Sequence, residues 1–179
     1  KVPRIVKTHK RCLCFFRDHK AIILLRDPRD VMVSYYHYMR YRSGNWSGSF
    51  SDFIRHKKYG LRAWFAHYNS WMNAGGAVFL YEKLKKNSFK EFHRMARYAG
   101  ADVGDEQVRG AVERVTLSRI RKLEELKGTD KQSKDSKFVR DGSTGQWKNY
   151  FSADDLTYYS EMIEKYGNGS FPYKCEPLK

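Results

Sequence analysis

Three cysteines, four prolines and no long apolar run are the first features of this 179-residue chain. Cys12, Cys14 and Cys175 form an odd set without framework spacing, which excludes a disulfide-stapled scaffold and points to reduced thiols. Cys12-Leu13-Cys14 has no further clustered ligands, so no metal site is expected. No stretch of 18 apolar residues exists, which excludes a membrane-spanning helix, and the first residues lack a signal-peptide pattern. A water-soluble piece is expected. Acidic side chains are also scarce: 20 Asp plus Glu stand against 35 Lys plus Arg, a formal charge of +15. That excess points to an acidic partner, either a ligand with several negative charges or a polyanion. Zinc-finger spacing and an RNA-recognition signature are both missing, so nucleic acid is not the expected partner. No repeat, low-complexity tract or composition break divides the chain, which reads as a single domain over 1–179.

Against those absences stand 41% hydrophobic and 16% aromatic residues, enough to build a core. One stretch organises the rest. Ala21-Ile22-Ile23-Leu24-Leu25 suits a strand buried on both faces of a parallel sheet. The run stops at Arg26-Asp27-Pro28-Arg29-Asp30. Asp27 suits a helix N-cap, Pro28 the first helical position and Asp30 the third. Both carboxylates suit the positive end of a helix dipole. Val31, Ser34, Tyr35 and Tyr38 then recur at helical spacing. The expectation is strand, tight turn, helix, with Arg26 at the carboxyl end of the strand, where ligands bind in open α/β sheets.

The remaining elements follow from local signals. Pro3-Arg4-Ile5-Val6-Lys7-Thr8-His9 reads as a short strand with a polar end. Residues 61–73 carry a helical stripe of Leu61, Trp64, Phe65, Tyr68 and Met72, closed by Gly75-Gly76. Ala77-Val78-Phe79-Leu80-Tyr81 reads as a second strand. Ser88 to Glu91 forms a capping box, with Phe89, Phe92, Ala96 and Ala99 on the buried face and Gly100 as the stop. A further helix starts at Asp105. Residues 127–137 are polar and read as a mobile loop. Ser152 caps a last helix with Asp155 at its third position.

Two of these stretches resemble one family. Arg-Asp-Pro-Arg-Asp-Val-Met-Val-Ser-Tyr-Tyr-His-Tyr, from Arg26 to Tyr38, looks like the 3′-phosphate-binding segment of sulfotransferases that use 3′-phosphoadenosine 5′-phosphosulfate (PAPS). The resemblance implies that Arg26 and Ser34 hold the 3′-phosphate, chemistry that suits a guanidinium fork and a hydroxyl donor. Phe138-Val139-Arg140-Asp141-Gly142, followed by Gly145-Gln146-Trp147-Lys148-Asn149, is similar to the family's second phosphate-binding segment. It implies cofactor contacts along Phe138, Val139, Arg140, Asp141 and Gly142, with glycine letting backbone amides approach the anion. Asp141 departs from the family's usual lysine and Gln146 from its aspartate.

Three looser matches add to these. Lys7-Thr8-His9 resembles the triplet that supplies the catalytic base, which gives His9 that role and Lys7 a supporting charge; imidazole changes charge near neutral pH and suits proton abstraction from a hydroxyl. Tyr81-Glu82 resembles the pair that places a tyrosine beside the adenine. Thr116 to Leu123 loosely resembles a cofactor-touching segment, with Ser118 at the ligand position. The family's dimer signature is poorly matched from Lys148 onward and is not carried over.

The resemblance implies an α/β fold, a parallel β-sheet flanked by helices, like that of nucleotide kinases with their phosphate loop. It implies sulfuryl transfer from PAPS, with 3′-phosphoadenosine 5′-phosphate (PAP) as product and no metal. A small-molecule or carbohydrate hydroxyl or amine would be the acceptor, and the location cytoplasmic. The family's Pro-Lys-Ser-Gly-Thr-Thr-Trp loop, which cradles the 5′-phosphosulfate, is not in this sequence, and the chain is expected to be the downstream part of a longer domain. Two other readings remain open at this point: a non-catalytic PAPS- or PAP-binding domain, and a basic polyanion-binding module.

Overall fold

The structure, a computed structural model, describes residues 3–16, 18–116, 118–119, 122 and 142–173. Its elements, in order, are a 3-10 turn (Cys14–Phe16), β1 (Ile22–Leu25), α1 (Pro28–His37), a wide π-helical turn (Tyr38–Arg42), α2 (Phe50–Arg55) and α3 (Leu61–Met72). They continue with β2 (Ala77–Leu80), α4 (Tyr81–Lys86), α5 (Ser88–Ala99), α6 (Asp105–Arg114), a second 3-10 turn (Gln146–Asn149) and α7 (Ala153–Tyr166). The chain groups into two compact units, one drawn from Lys1–Arg26 and Ser70–Lys131, the other from Asp27–Asn69 and Gln132–Lys179. Among the described residues no helix is long and apolar enough to cross a membrane.

In the first unit β1 and β2 pair in parallel, from Ile22 opposite Ala77 to Leu25 opposite Leu80. Gly76 enters β2 so close to β1 that a Cβ there would meet Ile23 Cδ1 at 2.6 Å. The end of α3 pins the N-terminal segment: the Trp71 indole N–H donates to the Lys10 carbonyl at 3.0 Å, and Ser70 Oγ accepts from the Cys12 amide at 3.0 Å. Phe79 is buried, with the Tyr98 ring 6.1 Å away and the Arg94 guanidinium 4.2 Å above it.

Three expectations are corrected here. Residues 3–9 form no strand, and Ile5 and Val6 lie exposed. With nothing apolar to cover them, fixing an extended backbone has no burial to offset its entropy cost. β1 is not buried on both faces: Leu25 is covered, while Ile22 and Leu24 are open to solvent. A two-stranded ladder packed on one face leaves alternate residues uncovered. The cap of α5 is Asn87, whose side chain accepts from the Lys90 amide at 3.0 Å. Ser88 Oγ instead donates back to the Leu84 carbonyl, and Glu91 pairs with Arg94. Gly100, at φ 81°, stops the helix as expected.

The second unit holds a core of Met32, Val33, Met39, Phe53, Ile54, Leu61, Trp147, Phe151 and Tyr159. Phe53 is fully buried among the rings of Tyr35, Tyr36 and Trp46, all with centroids 5.3–5.6 Å away. Burying each such side chain contributes about 1.5–3 kcal/mol. Gly60 joins α2 to α3 where any Cβ would overlap the Ile54 carbonyl. Ser152 caps α7 in the expected capping box with Asp155. Asp155 is buried and also ties α7 to α2, accepting from Ser51 Oγ at 2.8 Å and pairing with the Arg55 guanidinium. Burial alone pushes its carboxyl up, but the hydrogen bonds from Arg55, Ser51 and Ser152 outweigh it and hold the group below its ordinary value.

Candidate functional site

In the first unit the parallel register sets one candidate site. Leu25 and Leu80 are opposite one another, so the next residue of each strand, Arg26 and Tyr81, emerges at the same carboxyl edge. The Arg26 guanidinium lies 4.9 Å from the centroid of the Tyr81 ring. Both are half-buried. Cation and ring therefore present one mixed surface at the edge where α/β sheets bind ligands.

The second unit, by itself, has a candidate site at the start of α1. Asp27 caps the helix as expected, its carboxylate accepting from the Arg29 amide at 2.9 Å. The same carboxylate takes a bidentate grip from the Arg29 side chain, with Nη2 to Oδ2 at 2.7 Å and Nε to Oδ1 at 3.0 Å. So held, the Arg29 guanidinium stacks 3.8 Å over the Trp147 ring. Asp30 is 2% exposed. Its Oδ2 accepts from the Gly145 amide at 2.7 Å and its Oδ1 from the Trp147 amide at 3.1 Å. The segment from Gly145 to Trp147 is thereby fastened to the first turn of α1. Gln146 closes it further, donating to Ser143 Oγ at 2.6 Å.

The expected site residues fall as follows. Ser34 is exposed on α1, one turn after Asp30 on the same side. Gly142 has a φ of 65° that favours glycine. Lys7 and His9 are exposed on irregular chain. Ser118 is exposed, with its hydroxyl 3.2 Å from that of Thr116. Phe138, Val139, Arg140 and Asp141 lie outside the described residues, as does the expected loop at 127–137. The structure thus brings Arg26 and Tyr81 together in one unit, and Asp30 and the Gly145 segment together in the other, with exposed Ser34 one turn further along α1.

Sequence reasoning missed the long-range role of Asp30. It read the residue as a helix-terminal carboxylate, whereas its partners stand 115 and 117 positions away. No local signal marks that pairing. It also missed the buried His37, whose Nε2 lies 2.7 Å from the Tyr150 hydroxyl.

Fold and site together define an α/β domain whose parallel strands end in a cationic, aromatic corner. The chain belongs to the sulfotransferase family: residues 1–171 match the Sulfotransferase domain. It is 30% identical over 185 residues to Sulfotransferase 1B1 of Canis lupus familiaris, covering 89% of this chain and 62% of that protein. Sulfotransferase 1E1 of Homo sapiens is also 30% identical, with 90% and 63% covered. The chain therefore spans little more than three fifths of these relatives. Two solved structures share the fold. Retinol dehydratase in complex with retinol and PAP gives a TM-score of 0.70 at 23% identity, over 90% of this chain and 51% of that one. Mouse sulfotransferase SULT7A1 complexed with PAP gives 0.66 at 22%, over 84% and 59%.

Proposed function

We propose that the protein containing this chain is a PAPS-dependent sulfotransferase and that Arg26 and Tyr81 bind the nucleotide. The observation that carries this reading is the pairing of Arg26 with Tyr81 at the carboxyl ends of two parallel strands. The described residues fit an adenosine phosphate: a guanidinium gives bidentate, charge-assisted bonds to a phosphate, and a tyrosine ring offers a face and a hydroxyl to a base. Ser34 and Gly142 add a hydroxyl and a backbone amide for the 3′-phosphate, roles that rest on the sequence match. PAP in the solved neighbours supports the same ligand class. Retinol, bound together with PAP in one of them, supports a hydroxyl-bearing small molecule as acceptor.

In this reading the acceptor oxygen attacks sulfur, the bond from sulfur to the bridging phosphate oxygen breaks, and PAP leaves. The acceptor proton passes to His9, and Lys7 offsets charge growing on the transferring group. Positioning and electrostatics supply most of the acceleration, as in phosphoryl transfer.

The test titrates PAP and adenosine 5′-phosphate against wild type and Arg26→Ala. Wild type is expected to prefer PAP, and Arg26→Ala to lose most of that preference. Equal weakening of both nucleotides refutes the 3′-phosphate assignment. Binding of PAP without any sulfuryl transfer to a hydroxyl panel would leave a PAP-binding domain and refute the enzyme.

A further inference from the structure

We infer that Asp30 is a positioning residue for the 3′-phosphate: by holding the Gly145 and Trp147 amides it fixes the segment Gly142–Trp147 against α1, so that the Gly142 amide is already placed when the nucleotide arrives. The inference rests on the sulfotransferase reading above and adds to it a residue that touches no ligand.

The geometry has three parts. First, Asp30 turns away from the usual task of a carboxylate at the third helical position, which is to reach back to the cap. Asp27 fills the N-cap and has its own bonds to Arg29. Asp30 instead accepts one amide with each oxygen, from Gly145 at 2.7 Å and from Trp147 at 3.1 Å. Second, the adjacent Arg29 grips the same segment by its side chain, stacking on Trp147 at 3.8 Å. Neighbouring residues thus hold backbone and ring at once, and both are buried. Third, Gly145 has a φ of 81° with nothing within 4 Å of where a Cβ would stand. Glycine is there for its backbone conformation, which a side chain disfavours, not for space.

A phosphate bound by backbone amides is recognised only when those amides point at it beforehand; otherwise part of the binding energy goes into ordering the loop. Ser34 stands one turn beyond Asp30 on the same side of α1. Fixing the segment to Asp30 therefore fixes it relative to the hydroxyl assigned to the same phosphate. The energetic logic of the pair is strong, because hydrogen bonds to a buried charge exceed neutral ones, and removing an acceptor leaves a buried donor unmet.

The test uses Asp30→Asn in the full-length protein. Asparagine keeps the shape but replaces one acceptor oxygen with an NH2 that faces an amide N–H. Gly145→Ala is the second variant, disturbing the same segment from the other side without touching α1. Dissociation constants for PAP and adenosine 5′-phosphate are measured by calorimetry at a temperature where circular dichroism shows each variant folded. Each variant is expected to weaken PAP about tenfold and adenosine 5′-phosphate less than about twofold, so the preference for PAP collapses. A residue that only stabilised the fold would leave that preference intact once the protein is folded. If wild type prefers PAP while either variant keeps the wild-type preference, the positioning role is overturned and the sulfotransferase reading stands. If wild type shows no preference for PAP, the reading itself fails and the inference falls with it.

Discussion

Arg55→Ala cuts the link between α2 and α7, and its cost can be worked from the contacts. The Arg55 guanidinium pairs with Asp155, donates to the Asp154 carbonyl at 3.2 Å and lies 4.8 Å from the Tyr158 ring. Asp155 is 1% exposed and Arg55 37%. Truncation leaves the carboxylate with Ser51 Oγ and the Ser152 amide, so it is not stranded. A hydrogen bond to a charged group contributes about 1.5–3 kcal/mol, and solvent at the arginine end places this pair near 2 kcal/mol. For a chain of this size that is a loss of about 4–8 °C in Tm. The pH dependence sharpens the test. Asp155 titrates below its ordinary value when folded. The stability it adds is therefore fully present above the unfolded carboxylate value of about 4 and is lost as pH falls through the folded value. Arg55→Ala removes much of that acid-labile part. The assay is thermal melting of wild type, Arg55→Ala, Asp155→Asn and the double variant at pH 7 and in steps downward from about pH 4, where the folded carboxyl takes up its proton. A double variant whose loss equals the sum of the two single losses would show that the pair is not coupled and refute the reasoning.

Three further outcomes are expected. Gly60→Ala should lower stability by more than about 2 kcal/mol in urea unfolding, because the new methyl overlaps backbone that cannot move aside; a shift below about 0.5 kcal/mol would show the α2–α3 junction to be pliable. Tyr150→Phe removes the hydroxyl beside His37 and should cost about 1 kcal/mol, a fall of about 2–4 °C in Tm; an unchanged melting curve would count against that bond. His9→Ala should abolish sulfuryl transfer while leaving the PAP dissociation constant within about twofold; parallel loss of both would remove His9 from the base role.

The parts legible in the sequence are those written in neighbouring residues. Asp27-Pro28 announced the start of α1, Ser152 with Asp155 the start of α7, and Gly100 the end of α5, because caps are made within one turn. The strands at 22–25 and 77–80 were legible as short apolar runs, while their pairing with each other and its register came from the structure. The faces of β1 were misread, since a run of Ile and Leu carries no information on how many strands flank it. Ser88-Phe89-Lys90-Glu91 satisfied a capping pattern that Asn87, one residue earlier, satisfied first. The site divides along the same line. Arg26 and Tyr81 were singled out by motif, and their proximity is a matter of strand register. Asp30 and Asp155 depend on partners about a hundred residues away, which three-dimensional packing alone reveals.

That separation has a consequence for how the protein is made. Asp30 leaves the ribosome 115 residues before Gly145, the amide it will hold. At roughly 5–20 residues per second, the interval is about 6–23 s. Throughout it, α1 and α2 have neither the Trp147 ring nor the Tyr159 ring that completes their core. Synthesis of the second unit therefore includes a window in which its aromatic face is open, and chaperone dependence should concentrate there.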